Sequence, residues 1–438
     1  MFAKKNTVAA RYIVDGFFVA SAISISISSF NLFAIRLGAS DFQLSLIMFL
    51  PQIFTMLILI PGGLFMDSLQ NKKRIVIVTL ALIMFGFFLC TLAPFAGLYS
   101  IPFFLVSVTL AGGALALYNI AWQSFFPGIV NYATRNYVLT LRTRMTLYMN
   151  MLVPLLIGIV LTSLGTINGK IIAHQGFFIL SIVLLLFAAL NFNRFRRWKA
   201  LNIMNNPEKQ TITPVFPQSS KGIQFSEIKD ACKNIIKNKQ FILFALTALF
   251  FHMTWHFDWT LYFIGQVSYL NMNEFQLGLV PLGGAAIQLI TLKFWSRRNE
   301  RFGVVLPFTF GILGLSLCPA FMIVAVSFNI PYMPYIFVIL HTISHIPFAT
   351  ITLNLFQCIL QVVDNQYRSF YMSVFACLIC LSNAVMPVAG IALYHALGAD
   401  LNGFRYTFAI IFVLRIVAAG LWLLRWKMQK KILSTDSH

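Results

Sequence analysis

Four of the seven histidines fall in two pairs, each spaced by four residues: His252 and His256 in FHMTWHFDWTLYF, His341 and His345 in LHTISHIPFAT. On a helix that spacing stacks two imidazoles on one face. Imidazole exchanges a proton near neutral pH, and two of them one turn apart can share a transition metal. Trp255, Trp259 and Tyr262 occupy the same broad face as the first pair, with Asp258 at its edge. Three readings follow. The group couples a proton or hydrogen-bonds a substrate; or His252, His256, His341 and His345 bind a divalent metal; or the histidines only pack. No cysteine or methionine cluster lies on these faces, which restrains the metal reading. The tryptophans favour a partly apolar or ring-bearing solute.

The elements that must position these residues are membrane helices. The 438 residues are 59% hydrophobic and 10% charged, with a mean hydropathy of +0.81. Apolar runs long enough to cross a bilayer recur roughly at 12–34, 43–65, 75–95, 98–122, 146–166, 172–192, 241–265, 275–294, 304–327, 334–358, 369–394 and 404–426. Without water each must close its own backbone hydrogen bonds, so twelve helices are predicted, the strand-like alternation ISISIS at 23–28 included. The net charge of +20 points to orientation rather than nucleic acid. Only Arg36, Lys170 and Arg405 fall on one side of the twelve spans; nearly all other basic residues fall on the side of the termini. That bias predicts both termini cytoplasmic in a plasma-membrane protein. The first apolar run is too long for a cleaved signal peptide, and the six cysteines imply no disulfide framework.

The chain repeats itself. ASDFQLSL at 39–46 returns as MNEFQLGL at 272–279, an offset of 233. The same offset carries Asp67 to Glu300, Arg135 to Arg368, and NMLVP (Asn150, Pro154) to NAVMP (Asn383, Pro387). Two six-helix halves in the same orientation, 1–192 and 241–426, are expected, with a cytoplasmic tail at 427–438. Ser40 and Asn273 read as helix caps, with Asp41 and Glu274 in the first turns. The 193–240 linker ends in FSEIKDACKNIIKNKQF, where Ser226 can cap a surface helix. One face of it would hold Ile228, Cys232, Ile235 and Ile236, the other Lys229, Lys233 and Lys237.

GLFMD (Gly63 to Asp67) followed by NKKR (Lys72, Lys73, Arg74) resembles the loop motif of the major facilitator superfamily. Its second copy, FWSRRNERFG, matches better in Glu300, Arg301 and Gly303, with Ser296 in place of the leading glycine. The resemblance covers nearly the whole chain through helix count, repeat and linker. It implies the superfamily fold and a conformational latch formed by these residues with Arg135 and Arg368, acids pairing with nearby cations until the halves rock. It also implies that helices 1, 4, 7 and 10 line a cavity, where polar residues are candidates for substrate or proton. These are Ser24, Ser28 and Asn31, which with Ser21 form one stripe of span 1, Asn119 of span 4 and the residues around the histidines; Asn150 and Asn383, from the repeated motif of spans 5 and 11, are further candidates. The stripe equally fits helix packing. Markers of proton-coupled members, drug antiporters and sugar porters are missing. Asp15 reads as a partner for Arg11 one turn away, and Arg415, in the middle of span 12, has no nameable partner. With no nucleotide-binding loop and no catalytic constellation, the chain is expected to be a monomeric secondary transporter, not an enzyme, moving a small solute with protons and no cofactor. A metal transporter, a lipid flippase or a non-transporting sensor on the same fold are the alternatives.

Overall fold

Both copies of the repeated phrase begin helices, for the same physical reason. Ser40 Oγ accepts the Gln43 N–H at 3.3 Å while Gln43 Oε1 accepts the Ser40 N–H at 2.9 Å. Asn273 and Gln276 repeat the exchange at 2.9 and 3.0 Å. Each pair is a capping box, which satisfies amide groups that a helix start leaves open. Asp41 and Glu274 stand in the first turns, as expected.

The structure, a computed structural model, describes residues 2–68, 72–125, 132–193, 232–363 and 368–435. No strand occurs among them. Eleven stretches are long and apolar enough to cross a membrane. One of these, Lys73–Trp122, turns back on itself at Ala93–Tyr99, where Gly97 has φ 57°, and so makes two crossings. Twelve spans result. Spans 1 to 6 are Phe2–Arg36, Asp41–Ser68, Lys72–Leu92, Ser100–Phe125, Tyr132–Thr162 and Ile167–Asn193. Span 7 is broken into Lys239–His256 and Trp259–Ile264 and ends in a wide turn, Gly265–Tyr269. Span 8 is Glu274–Phe302. Span 9 is Val305–Leu315 with Leu317–Ser327, and span 10 is Met333–Ser344 with Phe348–Leu360. Spans 11 and 12 are Arg368–Ala396 and Leu401–Thr435. The serines of ISISIS lie within the helix of span 1, as predicted; Ser26 bonds Ser181 of span 6 at 3.1 Å.

Alternating crossings put both ends of the chain on one face, called here the termini face; the other is the far face. Span 1 packs on spans 5 and 6, and span 4 on spans 2 and 3. In the second half, span 7 packs on spans 11 and 12, and span 10 on spans 8 and 9. The halves meet where span 5 lies on span 8 and span 2 on span 11. The apolar core is unevenly shared. Towards the far face one cluster joins both halves, with Phe33, Leu44, Phe104 and Phe178 against Leu261, Leu270, Val280 and Phe404. Towards the termini face each half keeps its own core, one around Tyr12, Leu80 and Tyr118, the other around Phe244, Phe308 and Trp422. Among the described residues, the halves therefore share a packed core at the far end and none at the termini end.

Most of the linker, including Ser226, Ile228 and Lys229, lies outside the described residues. Residues 232–237 are helical. Ile235 packs on the second-half core, whereas Ile236 is 71% exposed and Cys232 is exposed. Asn238 explains the placement, since it caps span 7 through the Phe241 N–H and holds the Val362 carbonyl.

Candidate transport cavity and gate

Between the halves lies a cavity of about 370 Å³. Ser24, Ser28 and Asn31 line it from span 1, Asn150 and Pro154 from span 5, Phe263 and Gln266 from span 7, and Leu277 and Pro281 from span 8. The predicted span 1 stripe thus serves two purposes. Ser24 donates to the Met149 carbonyl at 3.1 Å, holding spans 1 and 5 together, while Ser28 and Asn31 line the cavity. Gln266 was missed. It sits in the wide turn that ends span 7, and nothing in FIGQVSY signals that turn. A second cavity of about 230 Å³ adjoins the first through Leu32, Glu274 and Leu277 and reaches Arg36.

The far end of these cavities is shut. Glu274 Oε1 accepts from Arg36 Nη2 at 2.6 Å and from Lys170 Nζ at 2.5 Å, tying span 8 to spans 1 and 6. These are charge-assisted bonds at short distance, and both Arg36 (9%) and Glu274 (13%) are largely shielded from solvent. Arg36 also contacts Nε2 of the buried His174. The backbones close in as well. A Cβ on Gly158 of span 5 would stand 2.3 Å from the Glu274 carbonyl oxygen, and one on Gly278 would stand 2.8 Å from the Pro154 carbonyl oxygen. Only glycine allows spans 5 and 8 to cross this tightly. The Phe275 N–H donates to Thr162 Oγ1 at 2.9 Å. A weaker contact, Asp41 with His395 at 3.6 Å, ties span 2 to span 11.

Each histidine pair shares a face as its spacing predicted. Ring centroids are 5.2 Å apart for His252 and His256 and 4.2 Å for His341 and His345. The expected meeting of the two pairs across the cavity does not occur: aromatic rings stand between them. Trp255 packs on Phe348 at 5.1 Å, and Tyr262 on His341 at 6.0 Å. Trp259 lies against His256 at 4.6 Å. None of the four histidines lines either cavity described above. His256 shares a 3.0 Å hydrogen bond with Ser382 of span 11, whereas neither ring nitrogen of buried His252 has a partner among the described residues. Among the described residues no three His, Cys, Asp or Glu side chains converge to hold a metal.

Asp258 does not reach span 10. It pairs with Arg415 at 2.7 Å, both side chains being almost wholly buried. Arg415 also donates to the Leu315 carbonyl at 2.8 Å, the Trp255 carbonyl at 3.3 Å and the Thr254 carbonyl at 3.4 Å. These carbonyls belong to the breaks in spans 7 and 9, where the helical ladder is interrupted. Arg415 is thus a staple across two broken helices, which accounts for a charge in mid-membrane. Asp15 is likewise corrected: it pairs with Arg142 of span 5 at 3.2 Å and accepts from Tyr118 at 3.4 Å, not with Arg11. The Arg142 guanidinium lies over the rings of Tyr12 and Trp122 at 4.9 and 4.3 Å. Asn119 is exposed beside this cluster and accepts from Trp122 Nε1 at 3.3 Å. Asn383 Oδ1 is buried without a partner and is not among the cavity's lining residues.

Of the latch, the side chains of Gly63, Asp67, Lys72, Arg135 and Arg368 lie outside what the structure describes. Lys73 donates to the Asn193 carbonyl at 2.5 Å, and Arg74 is exposed. Glu300 and Arg301 are exposed, and Glu300 forms no ion pair among the described residues. Gly303 ends span 8 at φ 74°, a backbone setting that glycine alone tolerates easily.

The family model of the Major Facilitator Superfamily matches residues 16–356, and the chain belongs to that superfamily. It is a multi-pass membrane transporter. No curated relative matches it in sequence. Among solved structures it is similar to a bacterial homologue of the iron transporter ferroportin in an inward-facing state, at 12% identity and TM-score 0.73 over 96% of this chain and 98% of that one. Against the outward-facing state of that homologue the identity is 12% and the TM-score 0.60, over 96% and 99%. The nucleoside transporter NupG gives 11% and 0.69, over 96% and 99%.

Proposed function

We propose that the chain is a monomeric secondary active transporter that moves a small, partly apolar organic solute by alternating access. The halves 1–192 and 241–426 rock on the span 5–8 and span 2–11 contacts about the 193–240 linker, and the described state opens to the termini face. The carrying observation is the one-sided join: a shared core and a three-residue ion cluster at the far face, separate cores at the termini face. The better fit to the inward-facing ferroportin homologue supports the same assignment. Hydroxyls and amides beside apolar walls suit a hydrogen-bonding solute with an apolar body. A transition metal is not preferred, because no ligand set gathers among the described residues. Solute flux in proteoliposomes tests the reading; a protein that binds solutes but moves none would be a sensor.

Placement in the plasma membrane with cytoplasmic termini rests on the basic residues of the termini face. An impermeant maleimide applied to intact cells should modify Thr166→Cys on the far face and spare Arg297→Cys on the termini face. The reverse pattern inverts the topology.

Coupling to protons is proposed at His256, which bridges span 7 to span 11 through Ser382 beside a helix break. His256→Gln should keep the protein folded and leave some flux, but flatten its dependence on pH. An unchanged pH profile in a His256→Gln/His345→Gln protein returns the histidines to packing.

A further inference from the structure

The far-face cluster is not neutral. Arg36 and Lys170 share one carboxylate, that of Glu274. The neighbouring His174 supplies no second anion. An imidazole, neutral or protonated, carries no negative charge to offer the guanidinium it faces. Of the other acids on this face, Asp41 is 36% exposed and faces His395, and Asp400 accepts from the Gly403 N–H at the start of span 12. Two cations thus share one negative charge, and the better shielded of them, Arg36, lines the 230 Å³ cavity, which adjoins the larger one. A shielded cation without its own counter-charge is costly unless an anion uses it at some stage.

The division of these groups between the halves says when. Arg36 and Lys170 belong to spans 1 and 6, Glu274 to span 8. When the far face parts, both cations stay with one half and the carboxylate leaves with the other. Two cations then stand at the mouth of the cavity without a partner. We propose that the transported solute carries one anionic oxyacid group, which binds Arg36 and Lys170 in that state. As the far face closes, Glu274 competes for the same donors and displaces the anion into the 370 Å³ cavity, from which it leaves by the termini face. The apolar body of the solute lies against Ile27, Leu32, Ile157, Phe263 and Leu277, and Asn31, Asn150 and Gln266 supply neutral hydrogen bonds. This rests on the alternating-access reading and names the substrate class for its cavity.

Purified protein would be heated with benzoate, benzamide or benzylamine, which share a ring and differ in charge, and with inorganic phosphate. Benzoate should raise the Tm by about 2 °C or more where benzamide and benzylamine do not. Arg36→Gln should abolish the rise, and Lys170→Gln, at the more exposed partner, should weaken it. Glu274→Gln removes the competitor, so its half-maximal benzoate concentration should fall about ten-fold. Opposite signs for Arg36→Gln and Glu274→Gln are the signature, since loss of a structural contact would weaken both. Equal or better stabilisation by benzamide or benzylamine overturns the anionic class while leaving the transport cavity standing. Phosphate matching benzoate would mark a site for bare anions and overturn the organic solute. No stabilisation by any compound in any variant overturns the cavity reading as well.

Discussion

Replacing Asp258 by asparagine is expected to cost about 3–5 kcal/mol of stability, the range for breaking a buried ion pair by removing one partner. The guanidinium of Arg415 would keep its three carbonyls and lose its counter-charge. Arg415→Met should cost at least as much, since it strands a buried carboxylate and frees the carbonyls at the breaks in spans 7 and 9. The Asp258→Asn/Arg415→Met double variant removes both charges and should recover part of the Arg415→Met loss, a coupling that independent sites would not show. Denaturant unfolding in detergent measures all three. Losses under about 1 kcal/mol in both single variants would mean that the pair does not hold the broken helices together.

Glu274→Gln is expected to move the conformational equilibrium about ten-fold or more towards the far-open state. The substitution leaves one amide oxygen facing two cations where a shared carboxylate now binds both, at 2.6 and 2.5 Å. Truncating one partner of such a pair typically costs a few kcal/mol, and each 1.4 kcal/mol is ten-fold in population. Partial exposure of Lys170 argues for the lower end of that range. Because the cluster stabilises one state of the transporter rather than the fold, unfolding midpoints should change little while accessibility on the far face rises. A Met272→Cys thiol, buried in the core that the halves share at the far face, reports this through its rate of modification by an impermeant maleimide. An equal rate with and without the Glu274→Gln substitution would remove the gate from the account.

The parts of this molecule written in local sequence were legible. The repeat at 39–46 and 272–279 gave both helix starts, since a capping box needs only four residues. Twelve spans followed from length and apolarity, and the stacking of each histidine pair from its spacing. What failed depended on residues far apart in the chain. Asp15 has Arg11 one turn away, yet takes Arg142 of span 5, because its side chain is buried against spans 4 and 5 while Arg11 is exposed. Asp258 follows His252 and His256 within one short stretch, yet its partner is 157 residues on. Span 10, expected as one run at 334–358, breaks just before Phe348 at Pro347; span 7 breaks at Phe257 and Asp258 without proline or glycine. The gate itself was half visible. Arg36 and Lys170 stood out as far-face cations and Glu274 as a first-turn acid, but nothing local said that they meet.

The most direct test of a two-half transporter gated at the far face is a pair of spin-label distances recorded on the same protein. One pair, Thr166→Cys with Ile330→Cys, spans the halves at the far face; the other, Arg74→Cys with Arg297→Cys, spans them at the termini face. In the parent protein the far-face distance should be short and narrow and the termini-face distance long. With Glu274→Gln added, the far-face distance should lengthen and the termini-face distance shorten together. A far-face change with no reciprocal change at the termini face, or no change at either, would contradict the account.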